Sequence, residues 1–135
     1  MQTEKDLWRY LDLKRKTEAL GDKIAEMDSP LPNTYLSHAP KGNSPGAWEN
    51  GLVYLIDQKM RHAELMRETQ LAHIALKDFI QERMSDDMQY IFYARFVLGL
   101  IWDEIAEKCG LVAHRRDITI LQRYKAELKR LNISR

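Results

Sequence analysis

The chain has 135 residues and a net charge of +1, with 44% hydrophobic and 30% charged residues, a balance that excludes a disordered chain. Its longest apolar run is too short to span a bilayer, and its charged N-terminus has no apolar signal region. Because Cys109 is the only cysteine, an internal disulfide is excluded and a reducing, cytoplasmic location is expected.

The first predicted element is a helix over roughly residues 3–27. Its apolar side chains follow a spacing of three and four residues, which is typical of a helix that pairs along one face. This seam consists of Tyr10, Leu13, Thr17, Leu20, Ile24 and Met27. Gly21 weakens the helix interior without ending the helix.

A loop is predicted for residues 28–47. All four prolines of the chain lie there, together with glycine, serine and asparagine residues that favour turns. Twenty residues without regular structure are unusual inside a compact domain. We therefore interpret this segment as a link between two helices.

A second long helix is predicted for residues 48–84. Its apolar stripes are Ile56, Met60 and Ala63 in the first half and Leu65, Thr69, Ala72, Leu76 and Phe79 in the second. The stripes change phase near residue 64, so the contact face is expected to rotate along the helix. Residues 1–84 would form a helical arm, and the sequence leaves open whether its helices pair within one chain or between chains.

Residues 85–135 predict a small three-helix domain. Ser85 precedes two aspartates at an N-cap position, where its hydroxyl is expected to accept a backbone amide hydrogen bond. The next helix is the most apolar segment of the chain and runs to Gly99, which suits a left-handed C-cap. The core is expected in this helix and the two after it, and the predicted fold class is all-α.

The last two predicted helices have the pattern of a helix-turn-helix, which needs a short first helix, a small residue at the crossing and a tight turn. Ile105 and Cys109 are predicted to face the core, and Ala106 to lie at the crossing. Gly110 would supply a left-handed turn residue, with Leu111 closing the core behind it. The residues expected to be buried on the second helix are Ile118, Leu121, Leu128 and Leu131.

The stretch RFVLGLIWDEIAEKCG, residues 95–110, resembles the start of the helix-turn-helix in region four of the sigma factors. The order of segments, a charged coiled-coil half, a Ser/Gly/Pro-rich loop and a C-terminal helix-turn-helix, is similar to that of phage and prophage late-transcription regulators of the ArpU/RinA type. The resemblance implies a sequence-specific DNA-binding transcriptional regulator in the cytoplasm of a bacterial host. It also implies host RNA polymerase as a candidate partner.

The chain departs from the family pattern on both sides of the turn. Ile101 stands where a Ser or Thr usually caps the first helix, and Arg116 stands where an apolar anchor is usual. Because an unpaired arginine is costly to bury, we expect Arg116 to be exposed and Ile118 to take the anchor position. The turn would then be about two residues longer, with Asp117 helping to start the second helix.

Basic residues are concentrated at the C-terminal end, where residues 110–135 hold seven basic and two acidic side chains. A basic helix face can bind a polyanion, and the first part of a recognition helix contacts base edges in double-stranded DNA. The residues predicted to contact bases are His114, Arg115, Arg116, Thr119, Gln122 and Arg123. Those predicted to contact phosphates are Lys125, Lys129 and Arg130, and a homodimer reading two half-sites is the expected assembly.

No catalytic or cofactor motif is found in the sequence. The segment APKGNS lacks the spacing of a phosphate-binding loop, and the four histidines have no cysteine or carboxylate at metal-ligand spacing. We therefore predict no enzymatic activity, no metal and no cofactor. Two other functions stay open: a DNA-packaging protein similar to small terminase subunits, which would form rings, and a coiled-coil adaptor that does not bind DNA.

Overall fold

A computed structural model describes residues 1–28 and 47–135. Within these residues the protein is all-α, as predicted, and contains no strand. Its helices are α1 (Glu4–Asp28), α2 (Ala47–Arg83), α3 (Asp86–Phe96), α4 (Trp102–Lys108) and α5 (Arg116–Arg130). Apart from its end residues Asp28 and Ala47, which are helical, the predicted loop lies outside the described residues. No helix in the described ranges has the length and apolar character needed to cross a membrane.

The chain divides into two compact units. The first contains residues Met1–Leu13 and Thr69–Arg135, and the second contains residues Lys14–Glu68. Each of the two long helices therefore contributes to both units. The first unit includes all of the segment 85–135 together with the start of α1 and the end of α2.

The core of the first unit is centred on Phe92 and Phe96 of α3, which are fully buried with ring centroids 5.7 Å apart. As predicted, the last three helices supply most of this core. Three further core residues come from the long helices, Leu7, Leu76 and Ile80, and a fourth, Met84, directly follows α2. Three short helices have too much surface for their volume to bury their apolar faces alone, and the long helices cover the remainder.

A cation–π sandwich connects the start of α1 to α3 and α4. The guanidinium of Arg95 lies 4.9 Å from the Trp8 ring and 4.4 Å from the Trp102 ring, and its Nη1 donates to the Leu100 carbonyl at 3.0 Å. Burial lowers the pKa of Arg95. The two indole rings thus hold a charged side chain beside an apolar core.

The two ends of the described chain meet beside α5. Asn132 has a φ of 57°, and this left-handed residue turns the chain back so that the Ile133 amide donates to the Leu128 carbonyl at 2.9 Å. The Ser134 amide then donates to the Gln2 carbonyl at 2.9 Å, and the Glu4 amide donates to the Ser134 carbonyl at 2.7 Å. These bonds fix the N-terminus of α1 against the end of α5.

The Tyr124 hydroxyl donates to the Glu4 carboxylate and adds a side-chain link between α5 and α1. Burial raises the pKa of Tyr124, and the neighbouring carboxylate raises it further. This tyrosine is 3% exposed and packs its ring against Trp102, with centroids 4.7 Å apart. One side chain thus joins the core and the contact between the chain ends.

The buried face of α2 keeps one heptad phase, so the predicted change of phase near residue 64 is wrong. One heptad of half-buried and buried positions runs along this face from end to end: Leu55, Gln58, His62, Leu65, Thr69, Ala72, Leu76 and Phe79. Ile56 and Met60, which belong to the predicted first stripe, are 48% and 67% exposed. In the first half of α2, the spacing of apolar residues did not reveal the buried face, because two positions of that face, Gln58 and His62, are polar.

Within the second unit, α1 and α2 contact each other in one chain. Lys23 Nζ donates to the Tyr54 hydroxyl at 2.9 Å. A Cβ on Gly21 would lie 3.0 Å from His62 Nε2, so glycine permits a close approach here. Because Lys23 meets Tyr54 and Gly21 meets His62, the two helices run in opposite directions in this unit. The sequence left open whether these helices pair within one chain or between chains, and the contacts described here lie within one chain.

The ends of α3 differ from the prediction in detail. Ser85 occupies the N-cap position with a φ of −70° and a ψ of 162°, but its side chain makes no capping hydrogen bond. The side chain of Gln89 instead donates to the Met84 carbonyl at 2.9 Å, at the end of α2. The helix ends at Phe96, before Gly99, whose φ of 72° confirms the predicted left-handed conformation.

Candidate nucleic-acid interface

A tight turn ends α4 and redirects the chain toward α5. Gly110 has a φ of 80°, and its amide donates to the Glu107 carbonyl at 3.0 Å. The Leu111 amide donates to the Ala106 carbonyl at 3.0 Å, which completes the pair of bonds of a Schellman motif. Leu111 packs against the core behind the turn. The predicted roles of Gly110 and Leu111 are confirmed.

Replacing Gly110 by alanine is expected to lower the free energy of unfolding by about 1–2 kcal/mol, because a left-handed φ is unfavourable for a residue with a Cβ. A Cβ at this position would meet nothing within 4 Å, so the effect isolates the backbone. The matched control is Gly51→Ala within α2, also in open space, which is expected to stabilise by about 1 kcal/mol. Urea denaturation measures the free energy of unfolding of both variants. An equal increase in both would contradict a left-handed conformation at Gly110.

Ala106 is fully buried on α4, and α4 packs against α5, so its small side chain suits the predicted crossing position. Ile105 is also fully buried, as predicted. Cys109 is exposed, so its predicted core-facing position is wrong. The helix ends at Lys108, and Cys109 already belongs to the turn. Partial desolvation still raises the pKa of its thiol.

α5 begins at Arg116, after Arg115 in a left-handed conformation with a φ of 64°. The prediction that Ile118 anchors α5 in the core is wrong: Ile118 is 41% exposed, and Ile120 is fully buried in its place. Tyr124 and Glu127 also lie on the buried face, where the apolar pattern did not predict them. Leu128 is buried as predicted, while Leu121 and Leu131 are half-buried against the core. A signal for the correct phase was available in the spacing of Ile120, Tyr124, Leu128 and Leu131.

Arg116 connects α4 to the start of α5. Its Nε donates to Asp103 Oδ1 at 2.8 Å and its Nη2 donates to Asp103 Oδ2 at 3.1 Å. Nη1 donates to the Leu111 carbonyl at 3.4 Å, within the turn. The predicted exposure of Arg116 is therefore wrong: its side chain is half-buried and paired with Asp103. A forked arginine–carboxylate pair fixes geometry as well as charge.

The pKa of Asp103 is lowered by its hydrogen bonds to Arg116. Because the folded-state pKa lies below the ordinary value, the pair contributes stability above that ordinary value and loses it as the pH falls through the folded-state pKa. We expect an NMR titration of the Asp103 carboxyl to show this low pKa and Arg116→Gln to raise it toward the ordinary range. Lys125→Gln is the control and should leave the pKa of Asp103 unchanged. An equal rise of this pKa in both variants would contradict a specific pair between Asp103 and Arg116.

The outward face of α5 carries most of the residues predicted to contact DNA. Those that are exposed in the turn and along the helix are His114, Arg115, Thr119, Gln122, Arg123, Lys125 and Lys129. Helical spacing places Thr119 and Gln122 on the side opposite Ile120 and Tyr124, which face the core, and Arg115 lies exposed just before the helix. Within the described residues, no ion pair engages the four basic members of this set.

Arg130 is exposed but engaged within the protein. Its Nε donates to the Glu127 carboxylate at 2.7 Å, and its Nη2 donates to the Arg83 carbonyl at 2.7 Å, at the end of α2. Glu127 is only 8% exposed, and this pairing compensates its burial. Of the nine predicted DNA contacts, Arg116 and Arg130 thus hold helices together, and the side chains of the other seven form no ion pair within the described residues.

The chain shows no significant match to a protein-family model, to a curated protein or to a solved structure. Within residues 1–28 and 47–135, no group of three histidine, cysteine or acidic residues is arranged to hold a metal ion. The outward face of α5 therefore stands as the candidate site on its geometry and charge.

Proposed function

We propose that this protein is a sequence-specific DNA-binding transcriptional regulator that places α5 in the major groove of double-stranded DNA. The observation that carries the proposal is the outward face of α5, whose basic residues Arg115, Arg123, Lys125 and Lys129 are exposed and form no ion pair with the described residues. The turn at Gly110 and the burial of Ile120 and Tyr124 on the opposite side of α5 leave this face turned away from the core. Such a face complements the phosphate backbone.

The two ends of α5 would have different tasks. Thr119 and Gln122 lie in its first half, and His114 and Arg115 precede it, where a recognition helix contacts base edges. Glutamine pairs with adenine and arginine with guanine in the major groove. Lys125 and Lys129 lie further along and suit phosphates, which set position without reading sequence. Arg116, already paired with Asp103, would orient α5 rather than read a base.

The test starts with selection of bound duplexes from a random DNA pool, followed by anisotropy titrations at several salt concentrations. We expect a recovered motif whose advantage over random DNA persists at higher salt. Gln122→Ala should cost about 1–3 kcal/mol at one base position, while Lys125→Ala with Lys129→Ala should weaken all sequences and reduce the salt slope by about two. Arg9→Ala, an exposed basic position on α1, is the control.

Weak binding that yields no motif and fades uniformly with salt would overturn the proposal. The basic face would then favour the adaptor function, in which a protein rather than DNA is the partner. The exposed acidic residues Glu104 and Glu107 on α4 would be the first surface to test against a basic protein partner. Host RNA polymerase stays a candidate for that contact under the regulatory proposal, in the cytoplasm of a bacterial host.

A homodimer accompanies the proposal, because one short recognition helix rarely provides enough affinity alone. An outward stripe on α2 in the second unit supports self-association. Its members are exposed at heptad spacing: Val53, Ile56, Met60 and Ala63.

Met60→Glu is expected to convert a dimer into a monomer in sedimentation velocity, because a carboxylate would be buried in an apolar seam. Arg61→Glu changes an exposed neighbour off the stripe and is the control. A dimer that survives Met60→Glu would contradict pairing through this stripe. Rings of wild-type protein would favour the DNA-packaging alternative instead.

A further inference from the structure

We infer that Ile118 reads the methyl group of a thymine, so that the recognised DNA contains a T·A pair within about two base-pair steps of the pair contacted by Gln122. This inference rests on the proposed function and adds to it the kind of base pair recognised. It follows from a difference between the sequence pattern and the structure. Ile118 was expected in the core, yet Ile120 fills that position and Ile118 is 41% exposed.

The surroundings of Ile118 identify the kind of partner. It lies on the outward face of α5 with Arg115, Thr119 and Gln122, all exposed. A face that binds a protein or a membrane is expected to present several adjoining apolar side chains. Within α5, Ile118 is the only large aliphatic residue that is exposed, and the other exposed residues of this face are polar or basic, which complement a polyanion rather than an apolar surface.

Duplex DNA offers one apolar group on its major-groove edge, the 5-methyl group of thymine. Ile118 and Gln122 are four residues apart, so their Cβ atoms are separated by about 5–6 Å along one helix face. Successive base pairs rise by about 3.4 Å, so this spacing corresponds to neighbouring or next-neighbouring pairs. Glutamine is suited to adenine. The two side chains together therefore favour a T·A pair within about two steps of an adenine.

The experiment replaces each thymine of the selected duplex, one at a time, by deoxyuridine, which lacks only the methyl group. Anisotropy titrations then compare wild-type protein with Ile118→Ala. At one position, uracil should weaken wild-type binding about fourfold, the loss expected for one buried methyl group, and leave Ile118→Ala unchanged. Ile118→Val should retain discrimination between thymine and uracil. Leu98→Ala, which truncates an aliphatic side chain that is 53% exposed after α3, is the control.

Three outcomes separate this inference from the proposed function. A recovered motif with a uracil effect that disappears in Ile118→Ala supports both. A recovered motif with no uracil effect, or with one that Ile118→Ala retains, overturns the role of Ile118 and leaves the regulator proposal standing. A pool that yields no motif overturns both. Circular dichroism and thermal unfolding verify that Ile118→Ala keeps the wild-type fold, as expected for a partly exposed position.

Discussion

Phe96→Ala should lower the free energy of unfolding of the first unit by about 3–5 kcal/mol, the range expected when a fully buried phenylalanine is truncated. The Phe96 ring centroid lies 4.8 Å from Trp8, 5.7 Å from Phe92 and 5.8 Å from Tyr124. These contacts join α1, α3 and α5, so the cavity would loosen three helices. Because a small domain is stable by only about 5–15 kcal/mol, this variant should be close to unfolding at moderate temperature.

Urea denaturation monitored by circular dichroism measures this loss. The control is Tyr93→Ala, which removes an aromatic ring that is 38% exposed on the same helix. That substitution should cost well under half as much, because an exposed ring leaves no cavity. Equal losses for the two variants would show that Phe96 is not at the centre of the core.

Ala106→Leu should destabilise the first unit by about 1–3 kcal/mol, because three extra carbon atoms cannot fit at a fully buried contact without moving α4 or α5. Denaturation measures the stability, and Ala75→Leu provides the control, since Ala75 is exposed on α2 in the same unit. The control should change stability by no more than about 0.5 kcal/mol. A neutral Ala106→Leu would contradict a tight crossing.

The same variant connects packing to the proposed function. At temperatures where Ala106→Leu is still folded, a displaced α5 should weaken binding to the selected DNA motif more than binding to random DNA. Base contacts depend on orientation, whereas phosphate contacts tolerate small shifts. An equal loss for both kinds of DNA would indicate that α5 does not read bases from this crossing.

The fold class and the helix limits were readable from local properties of the chain. Helical periodicity and the proline-rich segment predicted α1 and α2 to within about one residue, because both signals depend on neighbouring residues alone. Gly99 and Gly110 were correctly expected to be left-handed, since few other residues adopt that conformation easily. The location of the turn after α4, and with it the position of the candidate site, followed from the same reasoning.

The phase of α5 was not readable in this way. Ile118 and Ile120 are two residues apart and equally apolar, so the choice between them depends on which side α3 and α4 cover. Once α5 starts at Arg116, the fully buried Ile120 faces the core and Ile118 turns outward. Ile118, which was predicted in the core, therefore lies on the candidate DNA-contacting face.

Local sequence patterns were enough to predict an all-α protein in which two long helices precede three short ones and basic residues gather at the C-terminal end. Which of those basic residues remain available depends on how distant segments pack together. Arg116 pairs with Asp103, thirteen positions earlier, and Arg130 reaches the carbonyl of Arg83. Tyr124 bonds to Glu4, 120 positions away. Local patterns reveal helices because their hydrogen bonds are local, but pairings of this kind exist only after distant segments have packed together.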